Sequence, residues 1–193
     1  MSELILVIIS SALINNVVLV QFLGVASILA AADRFHHALS LSMLSSLVLI
    51  SSAILNYLID TWIIKPAGLT SIRLLVFTLI VALHVMLMGV LLRWRLPLLH
   101  RQLGSNLILV AANTAVLGTS LLIVTRDGNL IDTLGFAAGS AAGLALVMLM
   151  FSAMHDRLNS AAVPLPFRGA AISLISAGLM ALGFMGFVGL ISV

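Results

Sequence analysis

Apolar residues run along this chain in six long stretches, separated by short clusters of charge. The stretches cover about 4–32, 38–59, 74–92, 102–125, 133–154 and 169–193. A helix needs about 20 apolar residues to cross a bilayer, and each stretch supplies roughly that number. The runs are continuously apolar. They do not alternate in the ten-residue segments of a membrane β-barrel. The connections at 33–37, 60–73, 93–101, 126–132 and 155–168 are too short to fold alone. The pattern therefore predicts an all-α integral membrane protein, with residues 1–193 forming a single transmembrane domain of six spans.

Two stretches depart from the plain pattern. The first has no charge from Leu4 to Ala32. As one straight helix it would be about 43 Å long, against a hydrocarbon core of about 30 Å. Asn15, Asn16 and Gln21 lie in its middle, with Gly24 just after. The fourth stretch carries Asn106, Asn113 and Thr114, then Gly118. Two readings stand. Either these are long tilted helices whose amides bond to a neighbour, or both are interrupted inside the membrane and the amides satisfy the freed backbone. The two stretches open the two halves of the chain, three spans each. An odd number of spans per half makes a 3+3 inverted repeat, and paired interrupted segments in such repeats mark the working centre of many transporters.

The other spans read as packing surfaces. Gly135, Gly139 and Gly143 recur every four residues among alanines, which lets helix backbones approach closely. Gly183, Gly186 and Gly189 suggest the same for the last span. The serines of the second span, Ser40, Ser42, Ser45, Ser46, Ser51 and Ser52, are placed to bond back to their own helix carbonyls.

Composition agrees with the pattern. The chain is 62% hydrophobic and only 8% charged, whereas soluble domains carry roughly 25% charged residues. Its net charge of +3 comes from single Lys and Arg residues in short loops, not from a basic run that would fit nucleic acid. Arg34, Arg93, Arg95, Arg101, Arg157 and Arg168 fall in the odd loops, and Lys65, Arg73 and Arg126 in the even ones. The positive-inside rule then puts the odd loops in the cytoplasm and both termini outside the cell inner membrane. The first stretch is expected to remain as a span. Glu3 is the only charge before Asp33, so the basic region of a signal peptide is missing, although Ala30-Ala31-Ala32 faintly resembles a cleavage site.

Little in the chain invites catalysis. It has no cysteine, which excludes disulfides, thiolate nucleophiles and iron–sulfur ligation through its own thiols. His84 is the ionisable residue inside a span. It could relay a proton or simply tie two helices together. His36, His37, His100 and His155 fall in expected loops. Asp60, Asp132 and Asp156 lie at span ends, where solvated caps or loop charges are the default reading. Met86 and Met88 flank His84 but lack the companions that a heme or copper site needs. No catalytic pair, metal cluster or phosphate loop is visible.

Specific strings carry a resemblance. Asn15-Asn16-Val17-Val18-Leu19-Val20-Gln21-Phe22-Leu23-Gly24 resembles the first-span motif of the RnfA/NqrE family. Ile59-Asp60-Thr61-Trp62-Ile63 with Pro66 resembles the family's second loop, and Asn113-Thr114-Ala115-Val116-Leu117-Gly118 its fourth-span motif. Val163-Pro164-Leu165-Pro166-Phe167-Arg168-Gly169, continuing through Ala177-Gly178-Leu179-Met180 to Phe184-Met185-Gly186-Phe187, points to the RnfA side. The resemblance covers the whole chain. It implies a membrane component of an Rnf-type complex that couples electron transfer of the NADH and ferredoxin class to ion translocation. It also implies that the nearest partner is an RnfE-like subunit, that further B, C, D and G subunits complete the complex, and that this chain has no catalytic residues.

The departures matter as much. The family places a cysteine after the first-span glycine and another after the fourth-span asparagine, which together with a partner's pair are thought to hold an iron–sulfur cluster. Those positions are Ala26 and Thr114 here. Family prolines in these spans correspond to Ser27 and Ile108, and a third-span Gln and Glu to Met86 and Gly89. The expectation is therefore that this chain binds no cofactor alone and that the cluster and flavins sit on partner subunits. Asn15, Asn16, Gly24, Asn113, Gly118 and Gly139 would form the structural centre. Ala26 and Thr114 would turn toward the partner, with the three asparagines bonded to backbone nearby. The alternative is a redox-inactive scaffold or transport subunit on the same fold.

Overall fold

The computed structural model describes residues 2–31, 35–95, 106–126 and 128–187. The first stretch contains α1 (Ser2–Ile9), which continues as a π-helical turn at Ser10–Ile14, then α2 (Val17–Gln21) and α3 (Val25–Ala31). Two long helices follow. They are α4 (Phe35–Ile59), extended by a π-helical turn at Asp60–Ile64, and α5 (Arg73–Arg95). The second half repeats that order. A broken segment, α6 (Asn106–Ala111) and α7 (Thr114–Thr125), precedes α8 (Leu130–Ser160) and α9 (Ala170–Met185).

In lipid every backbone polar group must be satisfied within the segment, and helix is how these apolar runs meet that demand. The stretches 35–64, 70–95, 107–125 and 130–158 are each long and apolar enough to cross a membrane. Leu4–Ile14 and Ala170–Met185 are shorter apolar helices. The chain is an all-α, multi-pass membrane protein. Trp62, in the π turn that ends the second span, and Trp94, in the last turn of α5, are 73% and 82% exposed, as suits indole rings that favour the membrane–water interfaces.

The core lies between α4 and α8, which make the most extensive helix contact among the described residues. Leu41, Val48 and Leu49 of α4 are buried with Leu144, Val147, Met148 and Phe151 of α8 in one apolar cluster. Lipid tails are as apolar as leucine, so apolar burial alone does not drive helices together there. Close packing and hydrogen bonds do. Ser46 supplies one such bond, donating across to the Ala141 carbonyl at 3.1 Å. This corrects the expectation that the α4 serines all bond back to their own helix. Ser40, Ser42, Ser51 and Ser52 do so, whereas Ser46 faces α8 where alanine and glycine bring the backbone near.

The glycine ladder of α8 faces α1. A Cβ on Gly135 would meet Leu4 at 2.7 Å, one on Gly139 would overlap Ser11 and come within 2.5 Å of the Ile8 carbonyl, and one on Gly143 would lie 2.7 Å from the Asn16 amide. The last span differs from expectation. Nothing lies within 4 Å of a Cβ at Gly183 or Gly178, and Gly186 meets only its own helix, so these glycines pack against no other helix among the described residues. Gly189 lies outside the described residues, as do most of the 93–101 loop with His100 and Arg101, the start of the fourth stretch, the last residue of the first stretch, and residues 33–34 of the first loop.

Histidine placement is also corrected. His36 and His37 lie in the first turn of α4, and His155 lies within α8 instead of a loop. His155 is buried to 9% exposure and stacks near Phe151, with ring centroids 6.3 Å apart. Helix α8 runs past its apolar stretch because nothing before Ala161 stops it.

Candidate functional site at two interrupted helices

The tilted-helix reading of the first and fourth stretches gives way to the interrupted one. Helix α1 ends in a π turn that closes with the Asn15 amide on the Ser10 carbonyl at 2.7 Å. Asn16 is extended (φ −61°, ψ 116°) and its Oδ1 accepts from the amides of Val18 and Leu19. Those are two of the donors a new helix leaves unpaired, and an Asn N-cap satisfies them. Asn16 Nδ2 donates back to the Ala12 carbonyl at 2.7 Å, spanning the break. Helix α2 stops at Phe22, a non-glycine residue in the left-handed region (φ 56°), and Gly24 (φ 80°) completes the turn into α3. Left-handed backbone is disfavoured for a residue with a Cβ, so the surroundings must hold Phe22 there.

The second break has the same design. Helix α6 ends at Ala111, Asn113 is extended (φ −74°, ψ 106°), and its Oδ1 accepts from the Ala115 amide to start α7. The two breaks interlock. The Gly24 amide donates to Thr114 Oγ1 at 2.8 Å, and Ser27 Oγ donates to the Leu109 carbonyl at 3.3 Å. Each glycine receives the other break. A Cβ on Gly24 would lie 2.6 Å from Asn113 Oδ1, and one on Gly118 would run into the Leu23 side chain.

Asn16 and Asn113 are buried and bonded to backbone. Asn15 differs, being exposed with Nδ2 on the Ser10 hydroxyl at 3.2 Å. Ala26 and Thr114 are both exposed, as are Gln21, Phe22 and Ala112. The interlocked breaks thus open onto the outside of the chain. Beside them a cavity of about 220 Å³ is lined by Thr78, Ala111, Asn113 and Thr114. A second, of about 380 Å³, is lined by Met86, Gly89, Leu107 and Ile108. Both lie between α5 and the second break.

These residues do not fit an iron–sulfur cluster. Ala26 presents a methyl group, and Thr114 Oγ1 already accepts from the Gly24 amide. The cavity wall at Met86 and Gly89 carries no acid. A cluster requires thiolates or, rarely, imidazoles, and neither Ala26 nor Thr114 offers one. His84 does not face it either. Its Nε2 is 2.8 Å from Ser51 Oγ, and that hydroxyl reaches the Leu47 carbonyl at 2.7 Å. With the hydroxyl proton on Leu47, His84 donates to Ser51 and ties α5 to α4.

Sequence reasoning missed Asp60. It is 1% exposed, and Arg73 Nε bonds its Oδ1 at 2.7 Å while Lys65 Nζ lies 3.9 Å from Oδ2. It is a buried ion-paired carboxylate, not a solvated cap. Asp132, by contrast, is the N3 residue of a capping box with Asn129. The missed signal was the spacing Ser45, Ser52, Asn56, Asp60, which lines up three polar residues of α4 with the first residue of its π-helical extension. All four are buried, and Asn56 Nδ2 donates to Ser120 Oγ of α7 at 2.9 Å.

The profile of the Rnf-Nqr subunit membrane protein family matches residues 4–191. The chain belongs to the Rnf-Nqr family. Its relatives include the A subunits of ion-translocating oxidoreductase complexes. It is 40% identical over 191 residues to the A subunit of Aliivibrio salmonicida, covering 99% of both chains. The protein of the same name from Shewanella loihica is 41% identical over 192 residues, covering 100% of both. That of Aliivibrio fischeri is 39% identical over 191 residues, covering 99% of both. Within this Rnf-Nqr chain, the Asn–Gly motifs that prompted the resemblance are the residues that cap and interlock the two breaks.

Proposed function

We propose that this chain is the A-type membrane component of an Rnf-type complex that couples electron transfer of the NADH and ferredoxin class to ion translocation. The observation that carries the reading is its end-to-end similarity, at about 40% identity, to relatives named for the A position of such a complex. In this reading the chain carries no catalytic residue and binds no cofactor alone. The iron–sulfur cluster and flavins belong to partner subunits. The chain sits in the cell inner membrane with both termini on the outer side, following the distribution of Lys and Arg.

The exposed breaks support an intimate membrane partner. Irregular backbone at membrane depth is tolerated only against protein or a water-filled cavity, and here Gln21, Phe22, Ala112 and Thr114 are all exposed on the isolated chain. An RnfE-like subunit is the expected cover, with B, C, D and G subunits completing the assembly. The second reading is a redox-inactive scaffold or transport subunit. The hydrogen bond between Gly24 and Thr114 favours it, since it occupies the position where the family offers a thiolate.

Affinity purification of the tagged chain from its own membranes separates the two. Co-purification of flavin-bearing and iron–sulfur-bearing subunits is the expected result. Recovery of the chain alone, or with proteins carrying no redox group, would favour the scaffold.

A further inference from the structure

The two breaks take amides away from the carbonyls they would otherwise pair with. The Gly24 amide, which would close a helical turn on the Val20 carbonyl, donates to Thr114 Oγ1. The Ala115 amide goes to Asn113 Oδ1 in place of the Ala111 carbonyl. The Val116 amide goes to the Asn113 carbonyl in place of that of Ala112. These three carbonyls stand at the C-terminal ends of α2 and α6, where a helix depends on outside donors. Val20, Ala111 and Ala112 are all exposed, and so is Gln21, whose side-chain amide adds a further polar group.

Lipid has no donor to offer here. Residues 20–22 and 111–114 lie near the middles of the apolar stretches 4–32 and 102–125. Irregular backbone at that depth needs protein or a water-filled cavity against it. The contacts between the breaks, Gly24 with Thr114 and Leu23 with Gly118, bring the two sets of groups close together.

Phe22 decides between protein and water. Its φ of 56° is one that glycine adopts freely and a residue with a Cβ does not. Leu23 against Gly118 and the Gly24 amide on Thr114 hold the turn. The strained turn leaves an aromatic ring 54% exposed beside the diverted carbonyls. A water-filled cavity gains nothing from that ring. An apolar socket on another protein does, since buried anchors of this kind carry much of an interface's energy.

We propose that residues 20–22 and 111–114 form the docking surface for the RnfE-like subunit. That subunit presents hydrogen-bond donors to the Val20, Ala111 and Ala112 carbonyls, a polar group to Gln21 and an apolar socket to Phe22. This rests on the A-type reading above, which supplies the partner.

Two variants and a control test it. Phe22→Gly removes the ring and suits the left-handed backbone. Gln21→Leu removes the amide and suits lipid. Both side chains are exposed, so each variant of the full chain expressed alone should keep the wild-type monodisperse peak in mild detergent. Recovery of the chain through a tag on the RnfE-like subunit should fall about tenfold for Phe22→Gly. It should fall about fivefold for Gln21→Leu, the scale of a hydrogen bond between helices in lipid. Leu179→Ala, at a position 63% exposed on α9, should be recovered like the wild type. With Phe22 replaced by photoreactive benzoylphenylalanine in the assembled complex, the crosslink should fall on the RnfE-like subunit. A crosslink to lipid or to a second copy of this chain would overturn the proposal. So would loss of the peak of the chain expressed alone, which would place these residues in its own fold. If the wild type is recovered and both variants match it, the A-type reading stands and the docking surface fails. If the wild type itself is not recovered, both fail.

Discussion

Gly139→Leu is expected to abolish accumulation of the folded chain in the membrane. The reason is steric. Even an alanine Cβ at this position would overlap Ser11 and lie 2.5 Å from the Ile8 carbonyl and 3.0 Å from its Cα. Two of these three atoms are backbone, so the contact cannot be relieved by a rotamer change. Helix α1 must move off α8, and with it the π turn and the Asn16 cap that set up the first break. Overpacking typically costs about 1–3 kcal/mol, and a leucine at the tightest point of the ladder should exceed that range. The control is Gly178→Leu, where nothing lies within 4 Å. Fluorescence-detected size exclusion of tagged chains in mild detergent reads both. A monodisperse peak at wild-type height for Gly139→Leu would show that α1 does not pack on the ladder.

Asp60→Ala should be nearly as damaging, for an electrostatic reason. It strands Arg73, whose side chain is only 22% exposed, beside a cavity that held its carboxylate. Removing one partner of a buried ion pair typically costs about 3–5 kcal/mol. Arg73→Ala leaves Asp60 with Lys65 alone at 3.9 Å and should be comparable. Replacing both with apolar groups of similar size, as Asp60→Leu with Arg73→Met, should recover most of the loss, because no uncompensated charge remains. Thermal unfolding in detergent of the wild type, Asp60→Leu, Arg73→Met and their double variant measures this coupling. If the double variant is the sum of the singles, the pair is not coupled.

The helices were legible in the sequence because about twenty apolar residues force a helix in lipid. The breaks were only one of two open readings, since amides within a span suit a tilted helix bonded to a neighbour as well as an interrupted one, and the extended backbone that makes Asn16 and Asn113 caps is a structural fact. Gly24 and Gly118 are explained once the breaks meet, since each leaves room for a side chain of the opposite segment. What stayed hidden depends on distant partners. Asp60 reads as a loop charge until Arg73, 13 residues on, folds back over it. The glycines of the last span look like those of α8, yet Gly135, Gly139 and Gly143 meet α1 while Gly178 and Gly183 meet nothing among the described residues. Spacing alone does not say which helix stands opposite. His155 lies beyond the apolar stretch but within the helix, because backbone hydrogen bonding continues until a residue stops it and apolar composition is no such signal.

Redox-driven ion uptake by inverted membrane vesicles is the most direct measurement of what the chain is for. Vesicles from cells lacking the chain are compared with vesicles from cells in which it has been restored, with reduced ferredoxin and NAD as the redox pair. Uptake should vanish with the chain and return with it, at unchanged membrane integrity. Uptake that persists at full rate without the chain would contradict its place in an ion-translocating oxidoreductase.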